Sequence, residues 1–237
     1  YALGAGYQRS DGFDARETVE PDDDGYDNSS ASLRVGRDLG SMGSVEVHGL
    51  HASGDNEFDP LFAGGSNAEE YAQSAAGGEL TLRPMDGWQT RLIANASRDD
   101  RTQFREGVPG TRTRFDTERW TYSWQNDLTV REGQLVTLGV DYQDDRLEST
   151  TAFAEQSRYS RALFAEYQGR HGPVDLLLGA RRLENEQFGY HTVGNGALGI
   201  DLGAGLRWSA AYGTGFKAPT FNDLYFPGFS NPGLEPE

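Results

Sequence analysis

The sequence predicts an all-β chain: an antiparallel, up-and-down transmembrane β-barrel, incomplete, with roughly eleven strands present. Three observations carry this prediction. Hydrophobicity alternates with a period of two along most of the chain. The connections between alternating runs switch between short and long. Trp and Tyr collect near the ends of the runs and on their apolar faces.

The clearest run is 120–130. Trp120, Tyr122, Trp124, Asn126, Leu128 and Val130 fall on one face, and Thr121, Ser123, Gln125, Asp127 and Thr129 on the other. Successive side chains of a strand point to opposite faces, so this is a strand with one apolar and one polar side. The run 136–143 repeats it, with Val136, Leu138, Val140 and Tyr142 opposed to Thr137, Gly139, Asp141 and Gln143. Similar runs cover 26–37, 44–52, 78–83, 88–97, 159–169, 174–183, 191–202 and 206–212, with a partial strand at 1–8. No run has convincing helical periodicity.

Short connections at 38–43, 84–87, 131–133, 170–173 and 203–205 alternate with long ones at 11–25, 54–72, 99–116 and 144–158; 184–190 is intermediate. In a meander every second connection lies on the same side. Short turns on one side and long loops on the other are the pattern of periplasmic turns and extracellular loops. A Greek-key sandwich does not sort its loops in this way. The polar faces are also too polar to pack a second layer. Trp88, Trp120, Tyr122, Trp124, Tyr142, Tyr159, Tyr167, Trp208 and Tyr212 fit girdles at the water–lipid boundary.

Composition agrees. Hydrophobic residues make up 36% of the 237, little for a soluble core of that size, and glycine is abundant at 31. No run reaches the roughly 20 apolar residues of a spanning helix, whereas a spanning strand needs only about 9–11. With no cysteine, thiolate metal sites, disulfides and cysteine nucleophiles are excluded. A net charge of −16 argues against nucleic acid, which needs clustered Lys and Arg. Tyr1 starts within a strand-like run and Glu237 ends on Pro-Glu, so the chain reads as an internal piece, residues 1–237 being one partial barrel. An odd strand number and two open edges would require further strands outside it.

Acid concentrates in 21–24 and 55–59. Calcium takes 6–8 oxygens, preferably carboxylate and carbonyl, from flexible loops. Asp22 and Asp24 flank one residue before Gly25, a spacing that lets two carboxylates converge where glycine permits a tight turn. A solvated acidic loop with no ion is the alternative reading. His48, His51, His171 and His191 form no ligand pattern, and His48 and His51 point to opposite faces of one strand. No Gly-x-Ser-x-Gly elbow, Walker loop or nucleotide fingerprint is present. No catalytic residue is therefore assigned.

The run Ala211-Tyr-Gly-Thr-Gly-Phe-Lys-Ala-Pro-Thr-Phe-Asn-Asp-Leu-Tyr225, followed by Asn231-Pro-Gly-Leu-Glu-Pro-Glu237, resembles the TonB-dependent outer-membrane receptors. It matches their Tyr-Gly-x-Gly-Phe-Lys/Arg-Ala-Pro-x-x-x-x-Leu-Tyr and Asn-Pro-x-Leu-x-Pro-Glu stretches. Tyr212, Gly213, Gly215, Phe216, Lys217, Pro219, Leu224, Tyr225, Asn231 and Pro232 are the matching residues, with structural roles expected. Lys217 and Pro219 are expected to turn the chain and contact an interior plug. The early acidic loops resemble the cobalamin-receptor branch.

The resemblance implies a barrel of about 22 strands, a plug upstream, and a monomer in outer-membrane lipid. It also implies active uptake of cobalamin or a similar chelate, driven by the TonB energy transducer, with calcium ordering the outer loops. Carried over residue by residue, Asp14, Asp22, Asp24 and Asp59 match the family's calcium aspartates. The family's further acid in the second loop has no counterpart here. Ser66, Asn67 and Glu69 lie near its place, and another ligand comes from upstream. Phe58, before Asp59, is positioned to touch a bulky ligand such as a corrin. The alternatives are a receptor of the same build for a ferric siderophore or haem, or, in another class, a passive porin or an outer-membrane enzyme.

Overall fold

Among the described residues, eleven antiparallel strands form one sheet in strict sequence order, β1 to β11. The computed structural model of the chain describes residues 1–14, 16, 22–60 and 65–237. Residues 15, 17–21 and 61–64, in the two acidic loops, lie outside the described residues. The strands are β1 Ala2–Ser10, β2 Tyr26–Asp38, β3 Gly43–Glu57, β4 Ala68–Met85, β5 Trp88–Phe104, β6 Thr113–Arg131, β7 Gln134–Ser149, β8 Ser157–His171, β9 Val174–Asn185, β10 Gly189–Gly203 and β11 Leu206–Gly213. Each pairs only with its sequence neighbours, so the sheet is an open meander with β1 and β11 at its edges.

Every predicted run is a strand, but those around the middle long loops are longer than alternation indicated. β4 starts at Ala68, ten residues before the predicted start at Gly78. β5 continues to Phe104, β6 begins at Thr113 and β7 ends at Ser149. These extensions mix polar and small residues on both faces, with Tyr71, Phe115 and Leu147 too sparse to alternate, so no period-2 signal marks them. Their ladders are flanked by ion pairs: Arg98 with Asp100 at 2.7 Å, Arg101 with Asp99 at 3.1 Å, and Arg146 with Asp144 at 2.8 Å. The 184–190 connection is a three-residue turn between β9 and β10. Contrary to the sequence expectation there is a helix, α1, Phe221–Tyr225. A 3-10 turn, Gly40–Met42, also closes the β2–β3 connection.

The two faces differ as predicted. On one face Trp124, Leu138, Val140 and Leu163 are 49%, 43%, 38% and 64% exposed, an arrangement that only lipid can cover. An aromatic chain crosses this face below the long loops. Trp120 stacks on Tyr122 at 6.4 Å between centroids, Tyr122 meets Tyr142 at 6.4 Å, and Tyr142 stacks on Tyr159 at 6.3 Å. Trp88 and Trp208 stand near the short-turn ends of β5 and β11. From Tyr122 to Val130 the outward band spans eight strand steps, about 27 Å along the strand and roughly 20 Å after tilt, close to a bilayer core.

The other face is a polar wall. Asp127 accepts from Arg91 at 3.0 Å and from Thr137 at 2.8 Å. Asp141 accepts from Ser123 at 2.7 Å and pairs with Arg181. The few buried apolar side chains gather at the long-loop end of this wall, led by Leu147 at 2% exposed and Leu224 at 0%. Phe153 bridges Phe115 (5.8 Å) and Phe226 (6.0 Å) edge-to-face there. This small core packs the segment after β11 back onto the inner wall.

Candidate functional site

The long loops, the strand extensions and the folded-back C-terminal segment meet at one end of the sheet. The first loop is closed by one of its own carboxylates and by one from the end of β3. The Asp14 N–H donates to Asp23 Oδ1 at 3.1 Å, and the Gly25 N–H donates to Glu57 Oε2 at 3.0 Å. Gly12 has φ 71°, and a Cβ there would sit 1.8 Å from the Asp24 carbonyl oxygen, so only glycine lets the two limbs of the loop touch. Arg16 ties this loop to the next: its N–H donates to Asp14 Oδ1 at 2.9 Å and its guanidinium to the Pro60 carbonyl at 3.1 Å.

In the second loop the Phe58 N–H donates to the Asn67 carbonyl at 2.9 Å, and the Asn67 N–H to the Phe104 carbonyl at 3.0 Å. Phe58 is half-buried at the loop base. Asp59 follows, with Oδ2 buried and without a hydrogen-bond partner among the described residues. A buried carboxylate oxygen without a donor is costly, and a cation or water relieves it. Near the end of β3, Asp55 lies directly across from Glu70. Burial and then the charges of Asp27, Glu70 and Glu57 push its carboxyl above the usual range.

The donor chemistry therefore suits a hard cation, although among the described residues no three His, Asp or Glu side chains converge to hold one. Of the acids singled out from the sequence, Asp14 and Asp24 close the first loop, Asp22 is exposed beside them, and Asp59 stands in the second. Asp23, Glu57 and Asp55 lie in the acidic stretches 21–24 and 55–59 but were not singled out; Asp23 and Glu57 accept backbone N–H groups and Asp55 faces Glu70. Register alone could have found Asp55 and Glu57, since β3 carries both into the extension. Glu69 turns to the inner wall, accepting from Gln103 at 2.8 Å and Arg101 at 3.3 Å. Asn67 Oδ1 accepts the Glu106 N–H at 2.9 Å.

The C-terminal motif forms a strap on the inner wall. Tyr212 ends β11 facing outward, opposite Gly196, and Gly213 pairs with Asn195. Gly215 follows in open space, where a Cβ would meet nothing within 4 Å, and Phe216 packs on the His191 ring at 4.1 Å. Lys217 and Glu237 exchange backbone hydrogen bonds of 2.9 and 3.0 Å, closing the segment into a loop. The Pro219 carbonyl accepts from Arg158 Nη1 at 2.9 Å, and that guanidinium also covers the Phe221 ring. Thr220 and Asp223 form a capping box that starts α1. The two hydrogen bonds from Thr220 hold the Asp223 carboxyl below its usual range. Leu224 is fully buried, and the Tyr225 hydroxyl accepts from Gln187 at 2.6 Å. The Asn231 N–H donates to the Asp223 carbonyl at 2.8 Å, and Pro232 follows in a turn.

A meander with an apolar, aromatic-girdled outer face, a polar inner wall and its long connections at one end is the wall of a transmembrane β-barrel. The chain belongs to the TonB-dependent receptor family: the sequence model described as "TonB dependent receptor-like, beta-barrel" matches residues 6–237. This places it in the outer membrane of a Gram-negative bacterium. It is 29% identical over 230 residues to the vitamin B12 transporter BtuB of Photobacterium profundum, and 28% identical over 238 residues to that of Vibrio vulnificus. Those matches cover 96% and 97% of this chain, which spans 38% of the length of each relative.

Among solved structures, the siderophore receptor PirA of Pseudomonas aeruginosa superposes with a TM-score of 0.72 at 15% identity, covering 85% of this chain and 36% of that one. PirA of Acinetobacter baumannii gives 0.73 at 13%, covering 92% and 38%. A mutant of the ferric enterobactin receptor PfeA of Pseudomonas aeruginosa gives 0.74 at 14%, covering 85% and 35%. At these identities the likeness is one of fold.

Proposed function

We propose that this chain is part of the barrel of an energy-coupled importer of cobalamin, whose outer loops are ordered by calcium. The observation that carries the reading is the similarity to proteins named vitamin B12 transporters, which runs through 96% of the chain at 29% identity and so includes the acidic loops. The siderophore receptors share the fold at about half that identity. In this reading the sheet is completed by further strands of the same protein, to about 22 in all. A plug closes the lumen, and the TonB transducer acts on that plug. The protein works as a monomer and catalyses no reaction.

The chain's own residues supply three functions. Asp14, Asp22, Asp24 and Asp59 hold the cation, which supplies positive charge to a crowded acidic mouth. The orphaned Asp59 oxygen and the repulsion among Asp55, Glu57 and Glu70 support this. Phe58 offers an apolar edge to the corrin. The strap on the inner wall shapes the passage below the mouth.

The test uses the intact receptor. Cobalamin affinity is measured with calcium and with a chelator, for wild type and for Asp22→Ala combined with Asp24→Ala. The reading expects wild type to bind cobalamin more tightly with calcium, and the double variant to lose that difference. Equal affinities with and without calcium would overturn the cation site. Failure to bind cobalamin alongside tight binding of a ferric siderophore would move the receptor to the alternative cargo.

A further inference from the structure

The first two outer loops, taken as residues 11–25 and 54–67, hold ten Asp and Glu between them and a single basic residue, Arg16. A lone guanidinium among so many carboxylates is expected to sit on one of them. Arg16 does otherwise. Its Nη1 donates to the Pro60 carbonyl in the second loop at 3.1 Å, and no carboxylate of the described residues forms an ion pair with it. Pro60 is buried, so this bond is partly shielded from water.

The backbone of Arg16 is held from the first loop. Its N–H donates to Asp14 Oδ1 at 2.9 Å, two residues back, as in an Asx turn. The Asp14 N–H donates in turn to Asp23 Oδ1 at 3.1 Å. At the far end, Pro60 directly follows Asp59, whose Oδ2 is buried without a hydrogen-bond partner among the described residues. One side chain therefore links the acids of the first loop to Asp59 of the second. The loops also meet at their bases, where the Glu57 N–H donates to the Gly25 carbonyl at 2.9 Å, but that contact lies on the β3 side of Phe58 and leaves Asp59 unheld.

We infer that Arg16 clasps the second outer loop to the first and is the positioning residue of the cation site at the mouth. It holds the loop of Asp59 against the loop of Asp14, Asp22 and Asp24 before an ion arrives. The inference rests on the calcium reading proposed above, whereas the clasp rests on the described bonds. An ion that must gather two separate loops binds more weakly, by the fraction of time the loops spend together. The neutral acceptor suits this role. A guanidinium seated on the carboxylates would occupy the oxygens an ion takes; seated on the Pro60 carbonyl, it leaves them open and still softens their mutual repulsion.

The experiment titrates calcium alone into the full-length receptor, without cobalamin, by calorimetry, for wild type, Arg16→Ala and Arg16→Lys. Arg16→Ala is expected to bind calcium at least about tenfold more weakly, the effect of losing one charge-assisted hydrogen bond from the assembled loops. Lysine reaches the carbonyl with its ammonium and is expected to restore part of the loss. In a background freed of any other cysteine, spin labels at the exposed Phe13 and at Ser66 report the loop separation in chelator. Wild type and Arg16→Lys are expected to give a narrow distribution and Arg16→Ala a broad one, with amide exchange in β2 and β3 confirming an intact sheet. Tighter calcium binding by Arg16→Ala would mean that the guanidinium competes with the ion, and equal binding that it has no part; either result overturns the inference. If wild type binds no calcium, the cation reading falls and the label distances alone judge the clasp, which equal distributions in wild type and Arg16→Ala would also overturn.

Discussion

Leu224→Ala probes how the inner strap is held. Leu224 is the fully buried side chain of a five-residue helix, far too short to be stable alone. Its docking therefore rests on tertiary contacts. The polar ones are modest: the Thr220 cap contributes about 1 kcal/mol, the Gln187–Tyr225 bond about 1, and the Arg158–Pro219 bond about 1.5–3. Truncating a fully buried leucine costs about 2–5 kcal/mol, as much as any of these and at the upper end nearly their sum. The barrel ladders do not depend on the strap, so the loss is local. Hydrogen exchange on the intact receptor should show the Leu224 and Asn231 amides, bonded to the Thr220 and Asp223 carbonyls at 3.2 and 2.8 Å, exchanging roughly 30- to 4000-fold faster. Strand amides of β8 and β9 should be unchanged. Unaltered protection at Leu224 and Asn231 would refute the idea that one apolar anchor fixes the strap.

Three further outcomes are expected. Val140→Arg places a charge in the middle of the outward band and should cost about 2–4 kcal/mol in refolding from urea into vesicles, whereas Gln143→Arg, facing the lumen beside Asp145, should cost much less. The Asp223 carboxyl is held below its usual range in the folded strap, so it stabilises docking above the unfolded value near ~4 and loses that effect as pH falls through the lowered folded value. Peptic cleavage within the strap should accordingly rise below about pH 4 in wild type, and Asp223→Asn should flatten that dependence. Asp55→Asn removes one charge of a like-charged pair across β3 and β4 and should protect those strand ends by about 0.2–1 kcal/mol when no cation is added, read by exchange of the Asn56 and Glu69 amides.

The strand centres and short turns were legible because one face meets lipid and the other water, which imposes a strict alternation. Beyond the aromatic chain both faces meet water. Arg98, Asp99, Asp100 and Arg101 show no alternation, yet their strand continues because backbone pairing needs no apolar face once neighbours supply the ladder and ion pairs. The strap's helix was hidden by its shortness, although Thr220 and Asp223, three apart, carried a capping signal. At the acidic mouth the residue types were readable, but which carboxylates approach one another was not. That depends on the β3–β4 register, which sets Asp55 against Glu70, and on Gly12 admitting the Asp24 backbone.

The inner strap, the polar wall and the outward band all require that the Val136, Leu138, Val140 and Tyr142 face of the sheet meets lipid. This chain has no cysteine, and in a membrane-embedded receptor background freed of any other cysteine single ones are placed in turn from 136 to 143 along β7, omitting Gly139, where a Cβ would meet Phe164 at 2.3 Å and the Trp124 carbonyl at 2.9 Å. Each is labelled with a fluorophore and read for quenching by brominated lipid and by a water-soluble quencher. Strict alternation is predicted, with 136, 138, 140 and 142 quenched from the lipid and 137, 141 and 143 from the water. No alternation, or the opposite phase, would contradict the assignment of the faces.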